Sequence, residues 1–541
     1  MFAQEYTLQV KSEIQEEQKI LDQLQTILSF SDTIAVNEKL NELINYFHNE
    51  SFLKCELDSI IKNKNDFTAY FSIGKVFYWD KLTTGNGDPI VLYQILKKLK
   101  YFQGKTYKHQ ELLNLFEEIL ILYENSGYPF ASVQLTDINL TENSISAALD
   151  IKKGPTVRVD SLVNKTNSKT SLQLVKQLLH IKEGEIYDEE KIKSFSATLT
   201  NVEFLKEMRP AQFLFEENKN TLFLYIDEYN ANSFDGILGA NTDADGKLQL
   251  NGQVDLRLLN IFHRGEAIQL QWKSPGNGNQ DLKLAFRYPH VFNSPFWLET
   301  SLDLYKQDST FLNINQQIGL KYFSAKNHYL GVKVGFESST NLLDQPISQI
   351  EAYSKQWYSL IYGTQQLDYI FAPRRGYRYE LETSFGQRKN IDTSQTQYLL
   401  RGEIDFYLPI FKKSVLASRW SAQGIVSDNY LENELIRFGG LKSLRGFNEK
   451  ELAASLLVLH QFEYRYMLEK NSYLFGFGDV AYYENEASET FLGGFPFALG
   501  AGAVFNTKAG LFSISYALGK LPENKFEFQN ARIHFGLINR F

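Results

Sequence analysis

Three side chains stand where chemistry could be done: Arg445, in the loop-like stretch RFGGLKSLRGFNEKE (437 to 451), and the carboxylates Glu463 and Asp479 that follow it. Alternation places both acids. In LLVLHQFEYRY (456 to 466), Leu456, Val458, Phe462, Tyr464 and Tyr466 form one face, so Gln461, Glu463 and Arg465 take the other. In LFGFGDVAYY (474 to 483), Leu474, Val480 and Tyr482 face out and Asp479 faces in. Two carboxylates on one inner face invite an acid/base reading, but an arginine partner would keep both ionised, which suits structure better than proton transfer.

Other chemistry-bearing patterns are incomplete. NTDADGKLQLNG (241 to 252) offers Asn241, Asp243, Asp245 and Gly246 at calcium-loop spacing, but its twelfth position is Gly252 rather than a bidentate glutamate. A β-hairpin turn is the expectation there. The eight histidines include no zinc pair at helical spacing, and neither a Gly-x-Ser-x-Gly elbow nor a phosphate-binding glycine loop occurs. The sequence therefore predicts a protein that is not an enzyme, with no cofactor and no metal. Cys55, the single cysteine, excludes an internal disulfide and reads as a small buried hydrophobe.

The elements that must position these residues change character near residue 230. A chain of 541 residues exceeds one ordinary core. A net charge of -8 without a basic footprint excludes nucleic acid as a partner. Before residue 230, helical and strand patterns alternate in three units of roughly 75 to 80 residues. TAYFSIGKVFYWDKL (68 to 82) and SAALDIKKGPTVRVDSL (146 to 162) each read strand, glycine (Gly74, Gly154), strand, and TLFLYIDEY (221 to 229) closes a third unit. The order within each is strand, helix, helix, strand, strand. In the second, Leu112, Leu115, Phe116, Ile119, Leu122 and Tyr123 make one apolar helical face, ended by Gly127 and barred from resuming by Pro129.

After residue 230 the pattern is almost entirely strands and turns. No window holds the 18 to 20 apolar residues of a membrane helix. Segments of about ten residues alternate in polarity instead, as in GLFSISYALGK (510 to 520), where Phe512, Ile514, Tyr516 and Leu518 oppose Ser513, Ser515 and Ala517. The 308 residues from Phe234 to Phe541, at roughly 19 per strand and connection, make about 16 strands. In the final NARIHFGLINRF, Ile533, Phe535, Leu537 and Phe541 share a face opposite Arg532, His534 and Arg540.

These features together carry a family resemblance. YENSGYPFASV and its repeats resemble the POTRA domain, a periplasmic module, and FGGLKSLRGF (438 to 447) resembles the signature loop of the BamA/TamA superfamily of outer-membrane assembly factors. Phe438, Gly439 and Gly440 open the motif, and Arg445, Gly446 and Phe447 complete it, with Leu444 where the family carries valine or isoleucine. Phe477 and Asp479 match the Phe-x-Asp-x-Gly motif, with Ala481 in the glycine's place. FDGILG (234 to 239), FHRGEAIQLQW (262 to 272), FAPRRGYRYELE (371 to 382) and residues 498 to 519 resemble further barrel elements, and the terminal Phe535, Leu537 and Phe541 resemble the strand signal read at barrel insertion.

The resemblance implies α+β POTRA repeats at 1–74, 75–154 and 155–229, followed by an outer-membrane β-barrel of about 16 antiparallel strands at 230–541. A long loop, about 428–454, folds into the lumen and brings Arg445 to Glu463 and Asp479. It implies assembly, insertion or translocation of unfolded outer-membrane or secreted protein clients, without nucleotide, by POTRA capture and a laterally opening barrel seam. The lipid bilayer and periplasmic or lipoprotein accessory subunits are the other expected partners. The location implied is the outer membrane of a Gram-negative-type bacterium, with POTRA units in the periplasm. The start, MFAQEYTL, resembles the tail of a trimmed signal peptide. Alternatives are a two-partner-secretion-type transport pore, against which three repeats and the early strand EYTLQV argue, and a passive porin or receptor, which would need neither the repeats nor the Arg445 loop.

Overall fold

The structure is a computed structural model that describes residues 6–538 apart from 25–26, 218, 243–247, 277, 325–326, 344–348, 391–392, 489–491, 508–509 and 523–530. The chain divides into two compact units: residues 1–163, 182–195 and 211–223, and residues 164–181, 196–210 and 224–541.

The first unit builds the same sheet twice. Tyr6–Lys11 runs parallel to Asp66–Ser72, which pairs antiparallel with Glu56–Asn63. Tyr78–Thr83 likewise runs parallel to Ser144–Lys152, which pairs antiparallel with Ser132–Leu140. In the first repeat the helices Gln15–Asp22 and Thr33–Asn49 bury Leu21, Val36, Leu40 and Phe47 against Leu8, Val10, Ala69 and Phe71. Asp32 caps the second helix, its Oδ1 accepting from the Ala35 amide at 2.8 Å. An added strand, Ile27–Phe30, lies between these helices and pairs on the outer edge of Tyr6–Lys11, a departure from the simple strand-helix-helix-strand-strand order. Cys55 belongs to this core, where burial pushes its thiol up to about 12.

In the second repeat the helix His109–Glu124 buries Leu112, Leu115, Ile119 and Tyr123, with Phe116 and Leu122 packed at the margin. Further on, TLFLYIDEY is broken at Tyr225. Thr221–Leu224 pairs with Gln212–Leu214, and Ile226–Glu228 pairs with Leu205–Glu207. One strand was expected; alternation alone does not reveal a break at which the two halves join different partners.

The second unit is dominated by a sheet of seventeen strands in chain order, one of them the three-residue Leu492–Gly494. The other sixteen are β1 (Ser233–Thr242), β2 (Leu248–Leu259), β3 (Ala267–Gly276), β4 (Asn279–Tyr288), β5 (Phe296–Gln307), β6 (Phe311–Phe323), β7 (His328–Asn341), β8 (Tyr353–Leu367), β9 (Gly376–Lys389), β10 (Ser394–Phe411), β11 (Ser414–Val426), β12 (Leu456–Met467), β13 (Tyr473–Asn485), β14 (Phe497–Thr507), β15 (Gly510–Lys520) and β16 (Arg532–Ile538). Every pairing between consecutive members of these sixteen is antiparallel, so the strands run alternately up and down. Among the described residues no ladder joins β1 to β16.

The two faces are reversed relative to a soluble sheet. Ile318, Leu320 and Tyr322 on β6, Tyr358, Leu360 and Tyr362 on β8, and Phe462, Tyr464 and Tyr466 on β12 are exposed. Lys355 and Ser359 on β8, Glu382, Ser384 and Arg388 on β9, and Ser513 and Ser515 on β15 are buried. An apolar exterior over a polar interior is stable only where the exterior meets hydrocarbon. No helix among the described residues is long and apolar enough to cross a membrane.

Candidate functional site

Residues 427–455, between β11 and β12, are far longer than a hairpin needs. They carry a short helical turn, Glu432–Glu434, and a small ladder of Ile436–Phe438 with Leu452–Ala454. Between the ladder strands the chain folds onto the buried face of β12 and β13. Phe438, Leu444 and Phe447 form one apolar cluster with Ala454, Leu457, Leu459 and Ala481. Leu444 is fully buried there. The two departures from the expected motif, Leu444 and Ala481, thus meet in one apolar packing site.

The tip is a tight turn. Gly439 donates to Ser443 Oγ at 2.8 Å and Gly440 donates to the Leu444 carbonyl at 3.0 Å. Gln461, on β12, donates to the Ser443 carbonyl at 2.7 Å. Gly446 has φ +84°, and a Cβ on it would stand 2.5 Å from the Gly519 amide nitrogen and 2.7 Å from its Cα. Only glycine meets both demands. Its own amide donates to His534 Nε2 of β16 at 2.9 Å.

This turn aims Arg445. Its Nε and Nη2 donate to the two oxygens of Asp479 at 2.7 and 2.6 Å, and Nη1 donates to Glu463 Oε1 at 2.6 Å. The Arg445 amide also donates to Asp479 Oδ2 at 3.2 Å. The guanidinium carbon lies 3.7 Å from the ring centre of Phe477, a face-on cation–π contact. Strand register explains the spacing: Gln461 pairs with Asp479 and Glu463 with Phe477, so the two acids are diagonal neighbours that one guanidinium can bridge. Glu463 is shared with Arg465, whose Nε and Nη2 approach it at 2.8 and 2.7 Å. Two cations and two anions cancel, and the planar fork satisfies both carboxylates. The arrangement holds a loop.

A second tie, absent from the sequence reading, lies earlier in the same loop. Glu434 pairs with Arg388 of β9 and accepts from Gln397 of β10 at 2.9 Å. Asn433 donates to Ser339 Oγ on β7 at 2.6 Å, and its carbonyl accepts from Asn313 of β6 at 2.6 Å. Inward parity of Arg388 along GYRYELETSFGQRK was the available signal. A third, more exposed contact joins Lys450 to Asp281 of β4 at 2.6 Å and sets it over the Tyr305 ring of β5.

Of the terminal-strand residues, Phe535 is exposed and His534 buried. Leu537 pairs with Phe512 through the backbone. Phe541 and the turn at Asp243 to Gly246 lie outside the described residues, although Thr242 and Leu248 on either side of that turn are directly paired. Among the described residues no group of His, Cys, Asp and Glu has metal-binding geometry.

Residues 260–541 match the Omp85 superfamily domain. The chain belongs to the Omp85 superfamily. Two solved structures agree at the level of fold. CdiB from Escherichia coli aligns with TM-score 0.53 at 12% identity, and CdiB from Acinetobacter baumannii with TM-score 0.50 at 14% identity; each covers 93% of this chain and 97% of its own. BamA from Haemophilus ducreyi lacking POTRA domains 1–3 aligns with TM-score 0.48 at 15% identity, covering 85% of this chain and 98% of that one. No curated protein matches in sequence. As an Omp85 protein the chain is an outer-membrane β-barrel. Omp85 membership supports assembly or translocation of proteins at that membrane.

Proposed function

We propose that this protein inserts or assembles outer-membrane proteins without nucleotide, capturing unfolded clients on three POTRA units at 1–74, 75–154 and 155–229 and templating them at a barrel seam between β1 and β16. The single observation that carries the reading is the Arg445 clamp, which holds a 29-residue loop segment (427–455) over the lumenal face. A barrel occupied by its own loop is better suited to work at its seam than through its pore. An open strand edge supplies backbone donors and acceptors to an incoming strand in register, so client pairing replaces water as each strand enters. On this reading the POTRA units lie in the periplasm, and accessory lipoproteins dock there.

A cysteine pair cross-linking residues 233–236 to 532–536 tests the seam. Reconstituted with an unfolded barrel client, the reduced protein inserts it and the oxidised one does not; insertion by the locked form refutes lateral opening. The second reading is a polypeptide transport pore of two-partner-secretion type. Single-channel recording separates the two, because a loop-filled lumen conducts poorly until the loop is displaced, whereas a transport pore conducts at rest.

A further inference from the structure

Residues 89–110 of the first unit contain five lysines and no acid, in a chain whose net charge is -8. The segment forms a helical turn, Val91–Gln94, that continues into the helix Leu96–Phe102. Leu92, Ile95, Leu99 and Phe102 face the core. The opposite side is apolar as well: Ile90 is 87% exposed, Tyr93 75% and Tyr101 61%. With Lys97 these residues follow three- and four-residue steps, so they form one outward stripe. Lys97, Lys100, Lys105 and Lys108 are exposed along it. Lys98 pairs with Glu118 at 2.6 Å, and Lys105 lies over the Tyr101 ring; the remaining lysines have no carboxylate partner among the described residues.

Such a face is poorly explained by folding. Exposing three large apolar side chains in a row costs solubility, and like charges at adjacent turns repel. Both costs reverse at an anionic bilayer, where tyrosine and isoleucine enter the headgroup boundary while lysines meet lipid phosphates. A convex stripe with no strand edge suits a flat lipid surface better than an extended peptide. We propose that residues 90–108 form a peripheral docking face for anionic phospholipid, independent of the barrel. The tyrosines then set depth and the lysines set selectivity.

The test uses the full chain held in phosphatidylcholine nanodiscs. Gln94→Cys places a thiol on the stripe, and the buried Cys55, whose thiol is pushed up to about 12, leaves it the reactive one for an environment-sensitive fluorophore. Added vesicles containing phosphatidylglycerol raise and blue-shift the emission; pure phosphatidylcholine vesicles do not. Lys97→Glu with Lys100→Glu lowers the partition constant by at least ~25-fold, about fivefold per lysine lost, and salt near 1 M abolishes the response as screening shortens to about 3 Å. Equal response to both vesicle types, no response to either, or a response only to an added acidic polypeptide overturns the proposal, the last assigning the face to a protein partner.

Discussion

Replacing Arg445 by alanine removes three side-chain hydrogen bonds to two carboxylates, and the cost falls unevenly. Glu463 retains Arg465 at 2.7 and 2.8 Å, so its charge stays compensated. Asp479 is 2% exposed and loses the cation that grips both its oxygens. Breaking a buried pair in this one-sided way costs about 3 to 5 kcal/mol. At about 1.4 kcal/mol per decade, release of the loop then rises roughly 10²- to 10⁴-fold. In an Asp479→Asn background no orphaned charge remains, and the penalty of removing Arg445 falls to about 1.5 to 3 kcal/mol, that of hydrogen bonds to the charged Glu463. Trypsin reads this directly, because Arg437, Lys442 and Lys450 all lie in the loop and cleavage of a transiently opened segment tracks its open population. The folded protein in detergent, identified by its heat-modifiable gel mobility, supplies the substrate. A cleavage rate for Arg445→Ala within threefold of the unaltered protein, or the same acceleration with and without Asp479→Asn, refutes the clamp.

Gly446→Ala, which drives a methyl group into Gly519, releases the loop to the same protease, while Gly476→Ala, with nothing within 4 Å, leaves cleavage unchanged. Arg388→Ala orphans the buried Glu434 and lowers thermal stability by about 3 to 5 kcal/mol, read as the temperature at which heat-modifiable mobility is lost; Arg388→Ala with Glu434→Gln recovers most of it. Burial works against ionisation of Glu228, but hydrogen bonds from Thr170, the Lys169 amide and His263 prevail and hold its carboxyl below the ordinary range. Its contribution is therefore complete above the ordinary carboxylate pKa of about 4.3 and is lost as pH falls through the depressed value. Hydrogen exchange at residues 260–266, which Glu228 contacts through Asn260 and His263, should accelerate below that pH.

Strand-forming alternation made the barrel readable, because a residue's face depends only on its parity. That is why Glu463 and Asp479 could be put on an inner face before any contact was known, and why a count of about 16 strands agrees with sixteen long strands and one short one. Parity carries no information about which loop residue arrives above a given strand. Glu434 and Arg388 are 46 residues apart, and their meeting depends on the path of the loop, as does the approach of Gly446 to His534. Ile27–Phe30 was missed because four residues between two helices give too short a period to recognise. The break at Tyr225 escaped because both halves alternate alike.

The loop is fastened to widely spaced parts of the wall: β6, β7, β9 and β10 through Asn433 and Glu434, β12 and β13 through Arg445, and β4 through Lys450. Spokes of this kind fix a circumference. Strands tied to a common hub cannot spread without stretching or dropping a tie, so widening of the wall and departure of the loop share one free energy. By reciprocity, whatever loosens the hub eases widening by the same factor, and whatever widens the rim loosens the hub equally. On the proposed function, a client gripping the rim would be weighed against side chains deep in the interior that it never touches.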